Sequence, residues 1–182
     1  MMISKTFLFF FLPLVCIPFS GDDLPRPFEY PGNGNVCKMP DAFTVTEDLY
    51  ELELRIEQDG DAYYLVTTID FFNGSYTASP LSNNDFTGLL TTSMDDNPQV
   101  RLDEAIDESP RSIQSVDLFS NDPVNWLKER ATYRRVLHIE AKQDFDAGGK
   151  VTFTIEPRCT FEVIPFLIKN RGGSLSIEKW EC

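Results

Sequence analysis

YELELRIEQDGDAYYLVTTIDFF, Tyr50 to Phe72, decides the fold class of this chain. Leu52, Leu54 and Ile56 alternate with Glu51, Glu53, Arg55 and Glu57. That period of two puts the apolar side chains on one face of a half-buried strand. Asp59-Gly60-Asp61 supplies turn chemistry, and the aromatic and β-branched run after it supplies a partner strand, so the stretch predicts a hairpin. The same period returns downstream. Tyr133, Leu137 and Ile139 share a face, as do Val151, Phe153 and Ile155, and Leu175 and Ile177 alternate after the Arg171-Gly172-Gly173 turn. Asp146-Ala147-Gly148-Gly149 reads as a further turn, segment 73–111 as short strands and loops, and Pro123 to Arg130 as the best candidate for a short helix. Short strands separated by turns predict an all-β chain folded as an antiparallel β-sandwich. In such a fold most of Phe71, Phe72, Tyr76, Phe86, Trp126, Tyr133, Phe153, Phe161 and Phe166 should be core.

Upstream of the hairpin the composition changes twice. Residues 1–20, MMISKTFLFFFLPLVCIPFS, carry one Lys, no acid and an apolar core broken by Pro13 and Pro18. The core is shorter than the ~20 residues of a membrane span, and the pattern reads as a secretory signal peptide. Val15 before Cys16 disfavours a lipid anchor there. Residues 21–44, rich in Pro and Gly, form an extended leader, and residues 45–182 form the sandwich domain. The expected location is therefore secreted or periplasmic, with no membrane span. The net charge of −13 becomes −14 once residues 1–20, which hold one Lys and no acid, are removed. Such a surface repels phosphate backbones, so nucleic acid is not an expected partner.

Signals for chemistry are sparse. The single histidine, His138, lies opposite the Leu137 and Ile139 face, and no Cys pair has zinc-like spacing, so no metal or cofactor is expected. No nucleophile-elbow motif accompanies His138. Asn73-Gly74-Ser75 fits the glycosylation sequon. Cys37, Cys159 and Cys182 remain after the signal, an odd number, and the bridges 37–159, 37–182 and 159–182 all stay open. In VTFTIEPRCTFEVIPF, Val151 to Phe166, Cys159 reads first as a structural staple, second as an inert thiol and third as a redox centre.

Three segments carry a family resemblance. They are Gly74-Ser75-Tyr76-Thr77-Ala78-Ser79, then VDLFSNDPVNWLKERATYRRVLHI from Val116 to Ile139, then the strand running into Cys159 and Pro165. Their order resembles the N-terminal immunoglobulin-like (alpha) domain of DsbD-type thiol:disulfide interchange proteins, over roughly residues 45–180. The resemblance implies an immunoglobulin-like sandwich with Asp117 and Phe119 in a cap loop. It also implies a partner-binding end formed by Phe119, Asp117, Tyr76 and Pro165, facing a protein partner such as a thioredoxin-like envelope protein. The family's second redox cysteine would fall near Ile164, where this chain has Val163-Ile164. A dithiol carrier resolves its mixed disulfide with a nearby second thiol, so the loss implies a non-catalytic interaction domain. The alternative is a thiol-disulfide exchange carrier with Cys159 catalytic and Cys37 or Cys182 as a distant resolving thiol. A small-ligand or glycan binder using exposed aromatics is the third reading.

Overall fold

Leu52, Leu54 and Ile56 do point one way, and each is at most 1% exposed. They belong to one layer of an all-β, antiparallel sandwich seen in a computed structural model that describes residues 42–82, 88–116, 123–140 and 143–180. The described strands, in chain order, begin with β1 (Ala42–Thr46), β2 (Tyr50–Asp59), β3 (Ala62–Phe71) and β4 (Thr77–Ala78). Next come β5 (Thr91–Met94), β6 (Val100–Leu102), β7 (Asp107–Ser109), β8 (Ile113–Val116) and β9 (Pro123–Leu127). The last four are β10 (Ala131–Ile139), β11 (Phe145–Ile155), β12 (Thr160–Arg171) and β13 (Ser174–Lys179).

One sheet runs β1-β2-β3-β10, and β10 carries β6 against one half and β7 against the other. The β2–β3 pair is the hairpin read from sequence, with Tyr50 opposite Phe71, Asp59 opposite Ala62 and Gly60 at φ +60° in the turn. A second sheet runs β13-β12-β11-β5, and a small third one runs β4-β9-β8. Between the two large sheets, Leu52, Leu54, Ile56, Ile69, Tyr133 and Leu137 meet Val151, Phe153, Ile155, Phe166, Ile168 and Ile177 in one core. Tyr50 stands edge-on to Phe153, ring centroids 5.0 Å apart. Alternation is the cause: every second residue of β2, β10, β11 and β12 turns inward, and burying that apolar set drives the layers together.

Three sequence expectations change. Pro123–Leu127 is strand β9 and no helix is found among the described residues. Pro123 sits at the strand's start, where a missing N–H does least harm to a ladder. Asp146-Ala147-Gly148-Gly149 is not a turn but the interior of β11, paired with Lys169, Ile168, Leu167 and Phe166. The glycine is needed there for space: a Cβ on Gly149 would run into the Phe166 ring and lie 2.7 Å from the Ser93 carbonyl oxygen. Finally, β1 opens at Ala42, inside the span read as leader. The signal segment, Cys16, Cys37, Phe86, Asp117, Phe119 and Cys182 lie outside the described residues.

Two of the edges left open among the described residues carry exposed large apolar side chains. β8 pairs with β9 alone. β13 covers β12 only over Phe166–Arg171, so Thr160 to Ile164 pair with β11 alone. Phe161 and Val163, on the outer face of that uncovered half, are 61% and 51% exposed. Phe161 therefore leaves the core set expected from sequence, and Phe72 is 37% exposed.

Candidate partner-binding groove

The hairpin joining β11 to β12 closes with Ile155 opposite Thr160, leaving residues 156–159 as its loop. Cys159 holds the last loop position at φ +52° and carries a free, exposed thiol. Its Sγ lies 3.1 Å from Glu156 Oε2. The hydrogen bond to Glu156, and then that carboxylate's charge, push the Cys159 thiol above its usual value. Exchange chemistry needs the thiolate, and the neighbouring anion opposes it. The one cation of the loop, Arg158, is turned toward Asp48 at 3.8 Å.

Tyr76 reaches the same end of the molecule. Its N–H donates to the Glu156 carbonyl at 3.1 Å and its carbonyl accepts the Glu156 N–H at 2.8 Å. The structure thus brings Tyr76 and the Cys159 loop together. Pro165 does not join them: it stands within β12, opposite Lys150, with its carbonyl accepting the Trp180 N–H. That is about 17 Å along the strand from Thr160 at 3.3 Å per residue.

On its other side Tyr76 leads to a groove. The Tyr76 ring stands edge-on to Trp126, centroids 5.0 Å apart, and Lys128 Nζ lies 5.7 Å from the Tyr76 centroid. Trp126 lines a cleft of about 460 Å³ whose walls are the chain entering β8 (Pro110 to Ser112, with Ile113) and the β9–β10 connection (Lys128 to Arg130). Ile113 on β8 is opposite Trp126 and is 82% exposed, and Val116 is 54% exposed. The charged lining is Arg111, Lys128 and Arg130 against Glu129.

A buried carboxylate fixes the wall. Glu108, 5% exposed, accepts from Ser79 Oγ at 2.6 Å and Tyr133 Oη at 3.0 Å, and from both the N–H and the hydroxyl of Ser112 at 2.8 Å. Burial pushes its pKa up, but the Ser112 N–H and the three hydroxyls more than offset that and leave it below the usual glutamate value. Burial and the adjacent Glu108 charge push the Tyr133 phenol far up. Sequence reasoning missed Glu108, Ile113, Arg111, Lys128 and Arg130. The cations come together only through β8–β9 pairing, and the sequence carried no local signal, because Ile113 and Val116 stand three residues apart and fall on opposite faces of a strand.

Other concave sites have less to offer. A cleft of about 620 Å³ beside β5 and β6 carries Asp95, Asp96 and Glu140 with Arg101 and Arg135, charges of both signs. Its Arg135 is a tie, donating to the Thr92 and Asp103 carbonyl oxygens. His138 Nε2 lies 3.4 Å from Asp103 Oδ2. Among the described residues no group of three His, Cys, Asp or Glu could hold a metal ion, and no helix is long and apolar enough to cross a membrane. In the sequon, Asn73 Nδ2 donates to the Asp48 carbonyl, and the buried Ser75 hydroxyl donates to the Leu49 carbonyl. No family model, curated protein or solved structure matches the chain.

Proposed function

We propose that this chain is an exported, non-catalytic β-sandwich that binds a protein partner through the groove between β8 and the β9–β10 connection. The observation that carries the reading is Ile113, a large apolar side chain 82% exposed on an edge strand, set beside Trp126 in a cleft of about 460 Å³. Exposed apolar groups rimmed by charge mark interaction surfaces. Aromatic residues are over-represented among the anchors of such surfaces. Tyr76, expected in the partner-binding set, packs on Trp126 at this groove.

Within that reading the chain is proposed as an immunoglobulin-like domain of the DsbD N-terminal type that kept the sandwich and lost the redox pair, serving an envelope thiol-redox or assembly system. What supports this is the antiparallel sandwich and the position of Cys159 in a loop whose Glu156 is hydrogen-bonded to Tyr76. Exposure of Cys159 favours the alternative of a thiol-exchange carrier, and the Glu156 carboxylate at 3.1 Å opposes it.

The test is site-specific photo-crosslinking in the exporting cell. A photoreactive phenylalanine analogue at Ile113 should give a discrete higher-mass protein adduct, and the same analogue at Gln58, at the far end of β2, should not. Absence of an adduct from Ile113, or equal adducts from both positions, overturns the reading.

A further inference from the structure

We infer that the groove takes an extended, acidic polypeptide segment of the partner, added as a strand to the edge of β8 that no described residue pairs. This rests on the binding-module reading above and specifies the partner's chemistry.

The backbone argument starts at Asn125. Its N–H donates to Ser82 Oγ at 3.0 Å and its carbonyl accepts the Ser79 N–H at 2.8 Å, so its peptide groups face β4, away from β8. Peptide groups alternate sides along a strand, so those of Val124 and Trp126 face β8, where they meet Ser115 and Ile113. Ile113 and Ser115 are thereby occupied. Gln114 and Val116 turn their N–H and C=O groups to the open side, where no described residue pairs with them. An incoming strand meets that two-residue repeat directly, main chain giving affinity and alternate side chains giving selectivity.

The charge argument concerns polarity. The chain holds 29 acidic and 16 basic residues, yet among the described residues the groove sets Arg111, Lys128 and Arg130 against Glu129. The nearest buried anion, Glu108, spends both oxygens on Ser79, Ser112 and Tyr133. An acidic segment is repelled over most of this surface and attracted here, which fixes both site and register. The apolar side chains of such a segment would lie on Ile113 and Trp126. A sulfated glycan shares the charge but has no strand-forming backbone, and strand addition separates the two.

The test selects from a random octapeptide display library on the full chain. The expected winners alternate acidic and apolar residues. A synthetic winner should lose binding when N-methylated in one alternate frame and keep it in the other. K128E/R130E should weaken it about tenfold, from two exposed charge pairs changed from attraction to repulsion. Gln114→Pro removes one outward N–H at an edge position that tolerates proline, and should also weaken it while circular dichroism stays unchanged. Neutral or basic winners, indifference to N-methylation and to Gln114→Pro, or displacement of the peptide by heparin at equal charge concentration overturn the inference. Neutral winners that depend on the exposed Ile113, tested as Ile113→Ser, sink the acidic-segment inference and leave the binding-module reading standing. No enrichment at all sinks both.

Discussion

At Glu108 a single carboxylate ties three strands of two sheets, because Ser79 follows β4, Ser112 precedes β8 and Tyr133 lies on β10. Its folded pKa lies below the ordinary glutamate value. The linked stability is therefore present in full above the unfolded value of about 4.3 and is lost as pH falls through the folded value. Glu108→Gln should lower the unfolding free energy by about 1–3 kcal/mol at neutral pH. The gap between variant and parent should narrow below about pH 4. Denaturant melts of both proteins at several pH values check it, and a gap that widens in acid contradicts the assignment. Cys159 gives a second prediction at this scale. With the Glu156 charge removed the thiol loses what holds its pKa up, so Glu156→Gln should speed alkylation of Cys159 near pH 7.5. Peptide-resolved mass spectrometry separates Cys159 from the other cysteines, and an unchanged rate argues that the Glu156 contact is absent in solution. Neither feature was equally legible. Cys159 was singled out in the sequence as the cysteine into which an alternating strand runs, whereas Glu108 has partners 29, 4 and 25 residues away, with only the near one inside any local pattern.

At the scale of elements, the β2–β3 hairpin and the inward faces of β10, β11 and β13 were legible because a sandwich writes its burial as period two. The exceptions share one cause: contacts from another element overrode a local signal. Gly148-Gly149 has the composition of a turn, but Phe166 from β12 covers Gly149, and Trp180 and Asp95 lie over Gly148. The strand continues because its neighbours need the missing side chains. Gly149→Ala should therefore destabilise by about 1–3 kcal/mol, the usual range for overpacking. Leu in place of Phe166 should recover part of that loss in the double variant, read from urea midpoints. Additive losses would show that the ring does not set the glycine. Pro123–Arg130 misled in the opposite direction, since a proline followed by Val, Asn, Trp and Leu fits a helix start as well as an edge strand. Pairing with β8 and β4 decides for the strand.

For the whole molecule, the sequence carried the layers but not the surface, since edges are defined by where pairing stops. The groove is one product of that; the half-covered β12 is another. Its Phe161 and Val163 stand exposed beside a stretch of backbone that no described residue pairs, and such edges template contacts between copies. At neutral pH a net charge of −13 keeps copies apart. Near the isoelectric point of about 4.4 that repulsion vanishes, while the apolar row on β12 is untouched by protonation. The acid-rich composition thus serves as a colloidal guard over the half of β12 that no described residue covers, withdrawn by mild acid. Turbidity should appear as the pH approaches 4.4, and Phe161→Lys should keep the solution clear at the same net-charge-matched pH.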